Sequence, residues 1–112
     1  MIIFNDTVIV DEAVHLRWLK WIHDVHIPAV MATGYFDSFQ VLNVIDSPNE
    51  GVTYCVQYCT SSLENFNHFY TKHLHSLQAI HQQQFENQFV LFNTLMQTVD
   101  NQWKSQKQVL KG

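Results

Sequence analysis

Residues Asp46-Ser-Pro-Asn-Glu-Gly51 separate two strand-like runs by no more than a turn, and this short connection limits the fold more than any other stretch. Asp, Ser, Pro, Asn and Gly together are turn composition, each fixing or freeing a backbone angle. Before the turn, residues 35–45 read as a strand. After it, Val52, Tyr54, Val56 and Tyr58 alternate with Thr53, Cys55, Gln57 and Cys59, so a second strand spans Val52–Cys59. Strands joined this tightly are antiparallel neighbours.

On either side of that hairpin the chain reads as one strand and one helix. Residues Ile2–Val10 predict a strand with Ile2, Phe4, Val8 and Val10 on one face and Ile3, Asn5, Thr7 and Ile9 on the other. Asp6 interrupts the apolar face and requires either a partner or an exit at the sheet end. Val14, Trp18, Trp21, Ile22 and Val25 then form an apolar stripe at helical spacing, opposite Arg17, Lys20 and Asp24. Asp11 is the expected N-cap. Ile27 precedes Pro28, and a pre-proline residue disfavours the α region, so a break is expected near His26. A short second helix over Ala29–Thr33 should follow, stopped by Gly34 in a left-handed cap.

Beyond the hairpin, Ser61-x-x-Glu64 fits a capping box. The stripe it opens is Leu63, Phe66, Tyr70, Leu74 and Leu77, running on toward Phe85. His68 and His75 point away from this stripe, His73 lies at its edge and His81 within it. The helix should end between Gln82 and Asn87, and residues 89–99 form a last strand, apolar on both faces except at Asn93, Thr94, Gln97 and Thr98.

The order β-α-β-β-α-β around a central hairpin is the ferredoxin-like split motif. The fold class is therefore α+β, a four-stranded antiparallel sheet with two helices on one face. The other face would meet water, although the last strand offers large apolar residues to both sides. An uncovered apolar sheet face is an interaction surface, and two such sheets packed face to face would make a dimeric α/β barrel. At 112 residues the chain has core enough for one domain, expected over residues 1–100, with 101–112 a polar tail of weak periodicity.

Charged residues are only 14% and the net charge is −4, so there is no basic patch for nucleic acid or an anionic membrane. No apolar run approaches a membrane span, and the N-terminus reads as a strand rather than a leader, so a cytoplasmic protein is expected. Cys55 and Cys59 lie on one strand face about 13 Å apart, too far for a disulfide within the strand, and read as free thiols.

Three segments carry a resemblance: M-I-I-F-N-D-T-V-I-V, then W-L-K-W-I-H-D-V-H-I-P-A-V-M-A-T-G-Y-F, then G-V-T-Y-C-V-Q-Y. Together they resemble the uncharacterised DUF4286 family of the dimeric α/β-barrel superfamily, over residues 1 to 100. The pattern H-I-P-x-V-x-A-T-G-x-F is the most specific of these. Asp6 stands where the family usually has an aliphatic, and the helices carry fewer charges than usual. His26-Ile-Pro28 is also similar to the H-x-P of EthD-like barrels, relatives that include enzymes of aromatic polyketide and quinone metabolism.

Function is not settled by any motif, and several readings follow. A homodimeric small-ligand-binding or interaction module is the first, taking a small apolar or aromatic ligand. Asn5, Thr7, Gln57 and Asn93 would then be the polar residues inside the barrel, holding ligand, water or the dimer partner. An EthD-like enzyme working without cofactor on an aromatic or quinone-like substrate is the alternative. His26 would be its general base, and Tyr54 or Tyr58 would polarise a carbonyl. The competing role for His26 is to tie down a loose carbonyl at the helix break. Some relatives bind haem through a histidine of the second helix, for which the candidate is His73. No cofactor follows from the residues themselves. His23 and His26 share i, i+3 spacing, with His15 near His26 in angle, yet nothing completes a metal set.

Overall fold

A computed structural model describes residues 1–100. In it β1 (Ile2–Val10) leads to a first helical arm made of α1 (His15–Trp21), a π-helical turn (Ile22–His26) and α2 (Ile27–Ala32). The hairpin β2 (Ser38–Asn43) and β3 (Val52–Thr60) follows. A second arm consists of α3 (Leu63–Phe69), another π-helical turn (Tyr70–Leu74) and α4 (His75–Gln84), and β4 (Phe89–Gln97) closes the order. The sheet runs β2-β3-β1-β4, all pairs antiparallel, which is the ferredoxin-like arrangement expected. The predicted tail at 101–112 lies outside the described residues.

Register fixes which side chains share a face. Phe4 stands between Tyr58 and Leu95, Asp6 between Val56 and Asn93, and Val8 between Tyr54 and Leu91. This row set faces the helices and supplies the sheet's half of the core. Phe4, Tyr58, Phe36, Phe66 and Phe69 stack there at centroid distances from 4.9 to 6.5 Å. The turn between β2 and β3 ends at Gly51, φ +87°, where a Cβ would sit 2.5 Å from the Val10 carbonyl oxygen; only glycine fits. Gly34, φ +81°, ends α2 in the left-handed form foreseen.

Pro28 does not break the first arm. The backbone stays right-handed helical from Trp21 through Ile27, and the Ile27 amide donates five residues back to the Ile22 carbonyl. Widening the turn by one residue accommodates a proline that has no amide to donate. Trp18, Ile22, His26, Ile27 and Val30 are buried, whereas Val25, placed on the apolar stripe by 3.6-residue spacing, is 47% exposed. In the second arm Phe69, in α3 ahead of the widened turn, is buried in the core, and the expected Leu63 and Tyr70 are exposed.

Other local expectations move by a few residues. Asp11 does not cap α1; its carbonyl accepts from Val14 in a preceding turn, and Val14 takes the cap position without a side-chain bond. The second arm is capped by Ser62, not Ser61, through its Oγ accepting from the Asn65 amide at 3.1 Å. The strand over 35–45 shortens to Ser38–Asn43, and the third strand gains Thr60.

Candidate functional site

On the helix side of β1, Asp6 is 7% exposed in a row otherwise made of Phe4, Val8 and Val10. The partner it required is across the ladder: Asn93 Nδ2 donates to Asp6 Oδ1. Asn93 Oδ1 in turn accepts from Gln78 Nε2 of α4 at 2.9 Å. A chain of two amides thus runs from the helix surface to a carboxyl in the core. Burial pushes Asp6 up from 3.8 to about 7, against the smaller lowering effect of the Asn93 bond.

One row along, the Tyr58 hydroxyl is buried and has no hydrogen-bond partner among the described residues. Burial, and then the nearby Asp6 charge, hold its ionisation far above the usual tyrosine range. A buried hydroxyl without a partner is costly, and proteins retain few of them.

The helical arms contribute two histidines facing these groups. His26 projects inward from the π-helical turn, and His81 from α4, with ring centroids 5.4 Å apart. Trp18 Nε1 donates to His81 Nε2 at 2.9 Å. An indole N–H can only donate, so His81 is neutral with its proton on Nδ1. Burial pushes His81 down to about 3, with the His26 charge adding to it, and burial alone pushes His26 to about 4. His26 stands at the N-cap position of α2 but its side chain makes no cap hydrogen bond, so the tie-down role expected for it is not what the fold uses.

Asp6, Tyr58, His26 and His81 line one cavity of about 10 Å³, roughly the space of a single water-sized group. Beside it an open cleft of about 400 Å³ lies between α4 and β4, walled by His75, Ala79, Gln82, Phe89 and Asn93. Gln78, His81 and Leu91 belong to both, so they form the partition between the cleft and the cavity.

Of the residues proposed from sequence, His26 and Tyr58 come together here. Tyr54 does not: its hydroxyl bonds His15 Nδ1 at 2.9 Å and its ring stacks on Trp18 at 5.1 Å. Asn93 was grouped with Asn5, Thr7 and Gln57, but the register puts it on the opposite face, since strand alternation pairs it with Asp6. Asn5, Thr7 and Gln57 share the open face. There Gln40 Nε2 donates to Gln57 Oε1 (2.7 Å), Gln57 Nε2 to Asn5 Oδ1 (3.1 Å) and Asn5 Nδ2 to Thr7 Oγ1 (2.9 Å). His73 packs its ring against Tyr35 and Phe69 at 5.9 and 6.3 Å, away from the cavity. His23 is exposed, its Nδ1 3.0 Å from the Leu19 carbonyl, so it does not join His26. Among the described residues no three His, Cys, Asp or Glu side chains gather as a metal would require. Asp6 was visible in sequence as an anomaly, and His81 as a polar residue on an apolar stripe; Gln78 carried no signal.

The profile of DUF4286, a domain of unknown function, matches residues 1–99. The chain belongs to the DUF4286 family. No curated protein matches it. Among solved structures it is similar to HapK from Hahella chejuensis, at 14% identity and TM-score 0.65 over 90% of this chain and 95% of that one. An EthD-family protein from Bacillus halodurans matches at 11% identity and TM-score 0.62, over 88% of this chain and 100% of its own. A dimeric ferredoxin-like protein from an uncultured marine organism matches at 11% identity and TM-score 0.63, over 89% and 95%. At these identities the likeness concerns the fold. The DUF4286 domain therefore has ferredoxin-like and EthD-like structural neighbours, and no helix among the described residues is long and apolar enough to cross a membrane.

Proposed function

We propose that this DUF4286 protein is a cytoplasmic homodimer that binds a small aromatic molecule in the cleft between α4 and β4. The observation that carries the reading is the polar pair Asp6 and Tyr58, buried behind an open cleft with Phe89 and Leu91 on its wall. Small ligands bind in concave sites where polar groups converge beside apolar surface, and here His75, Gln78, Gln82 and Asn93 stand with Phe89 and Leu91. Pairing through the open sheet face is supported by the exposure of Val90 (57%) and Phe92 (51%) beside the Asn5–Gln57 ladder, and by the dimeric neighbour. The free thiols Cys55 and Cys59 suit a reducing compartment.

The test uses naphthalene as a bare aromatic probe, followed through the Leu91 methyl signals by NMR. Naphthalene should shift those signals saturably, and Ala79→Trp, which fills the cleft, should weaken binding by about tenfold or more. Shifts elsewhere, or a variant that binds as well as the parent, would remove the cleft from consideration.

A second reading has one specific observation in its favour. His26 faces the cavity, is neutral and has no partner among the described residues, as a general base awaiting substrate would be. An EthD-like enzyme without cofactor would use it beside Tyr58. Loss of turnover in His26→Gln with unchanged ligand affinity would favour this reading over simple binding.

A further inference from the structure

Tyr58 and Asp6 present complementary chemistry to the same small space. Tyr58 offers an O–H that nothing among the described residues accepts. Asp6 has only Oδ1 occupied, by Asn93, which leaves its other oxygen able to accept when the carboxyl is ionised, the state favoured at pH 8 where the probes are compared. Asp6 and Tyr58 project from adjacent rows of neighbouring strands, on the same face, and both line the cavity of about 10 Å³. A space of that size takes one heavy atom. A group of one heavy atom that both accepts from Tyr58 and donates to Asp6 is water or the hydroxyl of a ligand that displaces it.

The route to it is equally specific. Gln78, His81 and Leu91 stand between cavity and cleft, and Gln78 is held across the gap by its bond to Asn93. His81 cannot turn without giving up the Trp18 bond and its stack on Phe89, where the ring centroids are 4.1 Å apart. Gln78 is half-buried and bound through one amide hydrogen bond, so it is the movable part. The cleft beyond sets Phe89 and Leu91 among His75, Gln82 and Asn93, a mixed wall against which the apolar face of an aryl ring can pack.

We infer that Asp6 and Tyr58 form a hydroxyl-recognition subsite, that Gln78 gates it, and that the ligand is a phenol whose ring lies in the cleft. This rests on the aromatic-ligand reading of the cleft and adds the selectivity that the cleft alone would lack. His26 and His81 are the other titratable groups facing Asp6 from the helical arms, with Tyr58 the one on the sheet. Both histidines are held neutral, so neither supplies a competing charge for the ligand. A site built to hydrogen-bond a hydroxyl rejects the analogue that lacks it, because its own buried polar groups are then left unpaired.

The probes are 2-naphthol and 2-methylnaphthalene, which differ by a hydroxyl against a methyl of similar size. Dissociation constants come from the same Leu91 methyl titration, and the dispersion of the methyl spectrum reports folding of each variant. With the parent protein, 2-naphthol should bind at least about tenfold more tightly. In Asp6→Leu, and separately in Tyr58→Phe, that preference should fall to within about twofold, while 2-methylnaphthalene still binds. Equal binding of the two probes by the parent overturns the subsite and leaves the aromatic cleft standing. A preference that survives both substitutions also overturns it. If neither probe binds in the cleft, both readings fall together.

Discussion

The two faces of the sheet treat polar side chains in opposite ways. On the open face, Gln40, Gln57, Asn5 and Thr7 pass donor to acceptor across three strands, and the two amides at the centre each both donate and accept. On the covered face, Asp6, Tyr58, His26 and His81 gather under the helical arms, and the Tyr58 hydroxyl is left without a partner among the described residues. A closed ladder holds register and suits a face meant to meet another sheet. Unused capacity in a dry interior destabilises the fold and is retained only where something else needs it. The contrast distinguishes the face proposed to pair from the face proposed to bind a ligand, although both are built from strand residues of similar polarity.

That contrast predicts its largest effect at Asp6. The carboxyl is held above its unfolded value, so its contribution is complete below about pH 4 and is lost as pH rises through about 7. Asp6→Leu should therefore raise the stability at pH 8 by on the order of 3 kcal/mol and leave it little changed near pH 4. Urea midpoints at the two pH values measure this. A destabilised Asp6→Leu at pH 8 would mean that the carboxyl is a structural asset and the covered face is as well satisfied as the open one.

The histidines carry the opposite sign. Their folded values, about 4 for His26 and about 3 for His81, lie below the ordinary 6.5, so their contribution is present above 6.5 and lost as pH falls. Two histidines outweigh one carboxyl over the shared window. The parent should lose a few kcal/mol between pH 6.5 and 4, and His26→Leu should lose clearly less. Denaturant melts across that range decide it; parallel curves for parent and variant would show that His26 is not held neutral.

Changes on the open face should scarcely alter the fold of one chain and should act on assembly. Gln57→Glu places a charge at the middle of the ladder, on the face proposed to pair. Light scattering should then move from twice the chain mass to the single mass, and a parent that is already monomeric would dismiss pairing through this face. Smallest of all is Gln40→Ala. It removes an exposed end whose partner can turn to water, so a cost of at most about 1 kcal/mol is expected in the same urea melts. A larger loss would show that the ladder stabilises the protomer and is not reserved for assembly.

Much of this was legible in the residues. Alternation in Ile2–Val10 and Val52–Cys59 set both faces, and the turn at Asp46–Gly51 made β2 and β3 antiparallel neighbours. Asp6 announced itself by breaking an apolar row. What periodicity missed came from two sources. In the helical arms a 3.6-residue count put Val25, which lies inside the first widened turn, and Tyr70 in the core, and overlooked Phe69 ahead of the second turn. Asn93 was misassigned because β4 is apolar on both faces, which leaves alternation nothing to report. Only pairing with β1 shows that Asn93 belongs with Asp6. The unpartnered Tyr58 hydroxyl depends on the packing of five elements around it and has no one-dimensional signature.

The widened turn at Ile22–His26 has a consequence for how such a site could persist. The surplus residue is absorbed where it stands, so the helix on either side keeps its own phase. Removing one codon within the turn would leave the histidine seven residues after Trp18, about 20° away at 100° per residue, and so still facing inward. A one-codon insertion or deletion there could therefore pass through a lineage of this fold without moving the imidazole, although every aligned column beyond it would shift by one.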